Sequence, residues 1–120
     1  MASEVIAGKV WGETRLLLAT PGVEIHTLRI QPRSHCSLHR HQGKWNAFIG
    51  VLGRVLVEVH QPDTGLVDVT EVTPGALTTV APGLWHRFRT EDDYAECLEI
   101  YYPAALGAPD IERRDAGGKD

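Results

Sequence analysis

The chain has little that would staple it, anchor it or charge it strongly. Only two cysteines occur in 120 residues, Cys36 and Cys97. They form no C-x-x-C pair, and one possible bridge is a poor disulfide framework, so both are expected as reduced thiols. No run of about 18 apolar residues is present, which leaves no segment able to cross a bilayer as a helix. Met1–Gly8 carries Glu4 and no apolar stretch, so no secretory signal is visible and a cytoplasmic location is expected. Basic residues are outnumbered, 12 against 16 acidic, for a net charge of −4. Nucleic acid and anionic membrane surfaces, which call for a basic excess, are therefore not expected partners. Helical signal is missing as well, since no segment carries a sustained i, i+3, i+4, i+7 apolar stripe with caps. No internal repeat and no linker divides the chain, whose length suffices for one buried core.

What the chain has in quantity is turns. Pro21-Gly22, Pro32, Gln42-Gly43, Gly53, Pro62-Asp63-Thr64-Gly65, Pro74-Gly75, Pro82-Gly83 and Glu91-Asp92-Asp93 recur about every ten residues. That spacing is expected of an all-β sandwich or barrel. The intervening segments are rich in Val, Ile, Leu, Thr and aromatics: Thr14–Thr20, Val23–Ile30, Cys36–His41, Trp45–Leu52, Arg54–His60, Val67–Val72, Leu77–Ala81, His86–Thr90 and Tyr94–Tyr102. In Arg54–His60, Val55, Val57 and Val59 share one face and Glu58 and His60 the other, the period of two that a half-buried strand requires. The division expected is a short extension over 1–8, a β-barrel over 9–103, and a charged, glycine-rich tail over 104–120, read as an appendage.

Four of the six histidines stand out. His39-Arg40-His41 places two imidazoles at i and i+2, on one face of an extended segment and one strand pitch apart. That is within reach of a shared metal ion. His86 follows the turn Pro82-Gly83 and opens another strand, where a barrel can bring it opposite the pair. His35 has the parity of His39 and His41 and is expected near the barrel mouth. His26 and His60, without companions, read as surface or edge residues. The alternative for the whole cluster is a set of ordinary, partly buried strand histidines.

Two longer stretches resemble a known family. Pro32 to Gly53, containing His39-Arg40-His41, Asn46 and Gly53, is similar to the first cupin motif: H-x-H, three or four residues, Glu, six residues, Gly. Gly75 to His86, ending Ala81-Pro82-Gly83-Leu84-Trp85-His86, is similar to the second: Gly, five residues, P-x-G-x-x-H. The resemblance runs from about Lys9 to Tyr102. It implies an all-β double-stranded β-helix, or jelly roll, holding a divalent metal ion (Zn, Ni, Mn or Fe) in its lumen on His39, His41 and His86. The chain departs from the pattern at three positions. Asn46 stands where the family has its Glu ligand, Ala81 replaces the first Pro of the second motif, and Thr90 stands where an Asn often closes it. Asn46 is thus a fourth, uncharged ligand or a hydrogen-bonding neighbour of a three-His site, and a vestigial, empty site is the remaining alternative. A neutral ligand set leaves the site formally at +2, which favours anions and polarisation of a bound water or carbonyl.

Lys9-Val10-Trp11-Gly12 and Val80–Phe88 further resemble the cupin domain of type II mannose-6-phosphate isomerases. That likeness implies a metal-assisted aldose–ketose isomerase, in which a base moves a proton between adjacent carbons. Glu99 is the candidate acid or base, although its alternation with Leu98 and Ile100 is equally compatible with a solvent or subunit-facing carboxylate. Lys44 is the nearest candidate cation for a phosphate, because Arg87 and Arg89 lie on the opposite strand face from His86. A three-His Fe(II) dioxygenase is the alternative enzyme, favoured by a lumenal Tyr101 or Cys97. A non-catalytic sugar- or metabolite-binding barrel is the third reading, since fold alone does not choose among them. In every case a small molecule occupies the lumen. Exposed sheet edges lead to the expectation of a homodimer, with the N-terminal segment or the tail crossing between subunits.

Overall fold

Glycine and proline turns cut the chain into short strands, and the computed structural model describes residues 5–102 and 111–120 of it. In chain order the strands are β1 (Val5–Lys9), β2 (Gly12–Thr20), β3 (Val23–Ile30), β4 (Ser34–His35), β5 (His39–Arg40), β6 (Trp45–Leu52), β7 (Val55–His60), β8 (Val67–Val72), β9 (Leu77–Val80), β10 (His86–Arg89), β11 (Ala95–Tyr102), β12 (Glu112–Arg113) and β13 (Gly118–Lys119). No helix occurs among the described residues. One sheet runs β1-β2-β3-β11-β6-β9. In the other, β8 pairs with β7, β7 with β10, and β10 with both β4 and β5, whose outer edges carry β13 and β12. All of these pairings are antiparallel, and the two sheets enclose a lumen between them.

The turn chemistry explains why the register holds. Gly53, at the β6–β7 corner, has φ +70°, and a Cβ there would lie 2.6 Å from the Tyr94 carbonyl oxygen. Only glycine meets both conditions at that corner. Thr90 performs its closing role by hydrogen bonding: its hydroxyl donates to the Gln31 carbonyl (2.6 Å) and accepts from the Ser34 amide (3.2 Å).

Alternation then fills the lumen. Along β11, Ala95, Cys97 and Glu99 are buried, with half-buried residues between them. Apolar inward residues build a core around Leu28, Ile30, Phe48, Val57 and Phe88, and Trp11 meets Phe88 edge-on at 4.9 Å between ring centroids. Each such side chain contributes roughly 1.5–3 kcal/mol on burial. Among the buried polar residues are His39, His41, Asn46, His86 and Glu99.

Three elements differ from the sequence expectation. The segment Cys36–His41 is not one strand; only His39-Arg40 of it is extended, as β5, while β4 lies before it at Ser34–His35, and both pair with β10. Val5–Lys9 extends the first sheet by pairing with β2. The described part of the tail is no appendage: Glu112-Arg113 pairs with β5 and Gly118-Lys119 with β4 of its own barrel. Its side chains secure it, because Asp115 accepts the Leu38 amide at 2.7 Å and Arg114 lies 4.1 Å over the Trp85 ring. The expected boundary at 103/104 falls outside the described residues.

On the outer face, Glu58 is flanked by Arg87 and Arg89, both donating to its carboxylate. Burial alone would raise this carboxyl group, but the two guanidinium hydrogen bonds outweigh burial and hold it below its ordinary range. A lowered carboxyl contributes stability above the ordinary carboxylate range and loses it as pH falls through the lowered value. Glu58→Gln is therefore expected to cost about 1–3 kcal/mol at neutral pH, with the deficit closing in acid. Urea denaturation of both proteins across a pH series measures it.

Candidate metal centre

The three site histidines meet because of register. His39 on β5 and His86 on β10 are direct cross-strand partners, so their side chains leave the same face of the sheet. Their ring centroids lie 4.5 Å apart, and His41 lies 5.1 Å from His39 and 5.5 Å from His86. One ring nitrogen of each residue falls within 4.8 Å of the others, and all three residues are buried. A carbonyl oxygen can only accept, so the protons on His39 Nδ1 and His86 Nδ1 are fixed by the Ser37 and Leu84 carbonyls, at 2.7 and 2.8 Å. Nε2 is then the lone-pair donor of each ring. Burial lowers both imidazoles to about 4, so both are neutral at ordinary pH. His86 Nε2 is buried without a hydrogen-bond partner. A buried orphan acceptor among neutral imidazoles fits a divalent cation, and the fixed tautomers match the outer-shell carbonyl contacts of metal-ligating histidines.

Asn46, 1% exposed, lies on β6 opposite Tyr101, and its amide is turned to a carboxylate. Nδ2 donates to Glu99 Oε2 at 2.8 Å. Glu99 faces the lumen, which resolves the two orientations its alternation left open, and it also accepts a hydrogen bond from Tyr101. Burial raises the Glu99 carboxyl, against the opposing pull of His26, the two hydrogen bonds and Lys44. Tyr101 lies 5.2 Å from the His41 ring, and its phenol is raised by burial and by the Glu99 charge. Lys44 is half-buried with its ammonium 4.5 Å over the Tyr101 ring. Cys97 is buried on the lumenal side of β11 as a free thiol, as is Cys36 in the core.

A cavity of about 420 Å³ opens onto the site, bounded by Trp11, Thr14, His26, His39, Glu99 and Tyr101 among others. His26 corrects the surface-or-edge expectation. Its side chain is 18% exposed, Nε2 lies 2.7 Å from Glu24 Oε2, and Nδ1 lies 3.3 Å from the Thr14 hydroxyl. Its parity with the buried Leu28 and Ile30 is the signal that could have found it. His35 departs in the other direction. Four chain steps separate His35 from His39, but only three separate their partners Arg89 and His86. The extra residue acts as a bulge that reverses the face, and His35 Nδ1 meets Asp120 Oδ1 at 3.1 Å instead of the lumen. Arg87 and Arg89 do lie on the face opposite His86, against Glu58. Arg113, for which the sequence carries no site signal, also borders the cavity.

The fold and the site together define a jelly roll of the cupin type with three imidazoles converging in its lumen. Solved structures share the fold. The capsular polysaccharide assembling protein CapF from Staphylococcus aureus superposes with a TM-score of 0.81 at 14% identity, over 92% of this chain and 32% of that one. Oxalate decarboxylase from Bacillus subtilis at pH 4.6 gives 0.81 at 17% identity, over 94% of this chain and 30% of that one. The chain thus spans about a third of the length of either protein. No protein-family model matches the chain, and no curated protein matches it in sequence. No helix among the described residues is long and apolar enough to cross a membrane.

The Asn46–Glu99 pair makes one stability prediction. Glu99→Ala removes the acceptor of a buried amide and is expected to cost about 1–3 kcal/mol, whereas Glu99→Gln keeps an acceptor oxygen and should cost less. Chemical denaturation of the two variants in chelator measures the difference.

Proposed function

We propose that the protein is a divalent-metal-binding cupin enzyme that moves a proton on a small oxygenated metabolite, as sugar-phosphate isomerisation requires. The observation that carries this reading is the position of Glu99: a buried carboxyl group on the wall of the cavity that His39 also borders. His39, His41 and His86 would hold the ion, whose chemistry there is polarisation of a substrate carbonyl or hydroxyl oxygen. Glu99 takes a proton from carbon and returns it to the neighbouring one, and hydrogen bonds from Asn46 and Tyr101 hold its carboxyl group for that task. Lys44 acts through Tyr101 and the charge of Glu99, as a positioning residue. Walls of Trp11 and Leu28 keep bulk water from the reacting carbons.

A specific observation also favours the alternative enzyme, a three-His Fe(II) dioxygenase. Tyr101 is lumenal and packs against His41, as that reading needs. Metal content separates the two, with Zn, Ni or Mn expected for proton transfer and Fe for oxygen chemistry. We expect about one divalent ion per chain by elemental analysis, falling below a tenth of that in His39→Ala and His86→Ala. Glu99→Gln should retain the ion and lose about 10²–10⁴-fold in isomerisation of mannose 6-phosphate. Substrate-dependent oxygen uptake that survives Glu99→Gln and falls in Tyr101→Phe would overturn proton transfer in favour of the dioxygenase. A metal-free native protein would remove both.

A homodimer belongs to the same reading. Strand β8 pairs only with β7 among the described residues, and it exposes Val67 and Val69 along an open sheet edge. The described tail pairs with its own barrel, so β8 is a more natural seam than an exchanged tail. Light scattering is expected to give twice the 13.2 kDa chain mass.

A further inference from the structure

The metal centre has a cationic neighbour supplied by the end of the chain. Strand β12 pairs with β5 so that Arg113 lies directly opposite His39, which in turn lies opposite His86. Directly opposed residues in an antiparallel pair share a face, with Cβ atoms roughly 5 Å apart. Arg113, His39 and His86 therefore form one row across three strands, with the guanidinium group at the outer end and the imidazoles inside. Arg113 borders the cavity, as does Lys9 at the end of β1.

The carboxylates nearest Arg113 in sequence are committed elsewhere. Glu112, on the other face of β12, accepts Arg40 Nη2 at 3.0 Å. Asp115 accepts the Leu38 amide. Arg40 and Arg114 both lie over the Trp85 ring, at 4.7 and 4.1 Å, so the tail is docked without using Arg113. A guanidinium at the rim of a 420 Å³ cavity, free of those duties, is placed for a ligand.

We propose that Arg113, with Lys9 on the wall of the same cavity, is the anion-binding group of this site and selects small substrates that carry an oxyanionic end. A phosphate or carboxylate would take two parallel N–H···O bonds from the planar guanidinium, while the other end of the molecule reaches the imidazoles and Glu99. This rests on the reading of the lumen as a substrate site, and it names the class of substrate. It also gives the tail a function: β12 is the element that carries the selecting charge to the mouth of a barrel whose whole chain is net negative.

The test is calorimetric titration of the full-length purified protein with inorganic phosphate and with malonate, mannose serving as the neutral control. Metal content is measured on the same samples. At least one of the two anions is expected to bind, more weakly at higher salt. Arg113→Gln should weaken it at least tenfold with unchanged metal content and melting temperature, and Arg113→Lys should recover part of the loss. Equal anion affinity in Arg113→Gln, or binding of neither anion to the wild type, overturns the proposal. So does a loss in Arg113→Gln accompanied by a lower melting temperature that Arg113→Lys fails to mend, since undocking of the tail then accounts for it. A wild-type protein without metal would defeat the metal-enzyme reading and leave the anion result to be judged separately.

Discussion

A single cross-strand register, His39 opposite His86, is the constraint on which the site depends. Forty-seven positions apart in the chain, the two rings stand 4.5 Å apart because antiparallel partners project from the same face. A slip of one residue would turn one imidazole to the outside of the barrel. The turns at Gly53 and Thr90 guard against that slip, the first by a backbone conformation that excludes side chains, the second by tying β10 to the segment before β4. The same row continues outward to Arg113, so one register aligns the interior and the rim of the cavity.

Burial then decides the chemical state of what the register assembles. Imidazolium ions this close would repel, and desolvation adds to the cost, so the rings stay neutral and keep their lone pairs. The Ser37 and Leu84 carbonyls choose which nitrogen keeps the proton. Gathering three buried imidazoles in one place strains the fold unless their ring nitrogens find partners. A well-packed core of Leu28, Ile30, Phe48 and Phe88 sits beside it and offsets that strain. Fold and site are thus coupled through stability as well as position.

The fold was legible because its signals are local. Turn residues every ten positions and period-two strands such as Val55–Val57 do not depend on the rest of the chain. The histidine trio was legible because i and i+2 in an extended segment, plus a histidine after a tight turn, lie in motifs that fix their own geometry. What escaped depends on pairing at a distance. His35 shares parity with His39, yet a single extra residue between them sends it to the outer face. Arg113 lies in a stretch without strand character, and only its partner in β5 makes it extended. Glu99 alternated on paper with apolar neighbours on both sides; the sheet opposite decides which face is the lumen. His26 is the instructive exception, because its parity with Leu28 and Ile30 was already present in the sequence.

Asn46, which stands where the first cupin motif carries a glutamate, gains a physical meaning from these contacts. A carboxylate has not been removed from the lumen; it stands on the adjacent strand, where Glu99 receives the Asn46 amide at 2.8 Å. A carboxylate bound to an ion spends its charge on that ion and loses basicity. One held a side chain further away, raised by burial and steadied by an amide and a phenol, keeps its lone pairs for a proton. With a second glutamate at position 46, the two acids would share one buried pocket and repel. Asparagine avoids that repulsion while still donating a hydrogen bond. Under the proposed proton transfer, the asparagine that looks like the loss of a ligand is the condition for having a base.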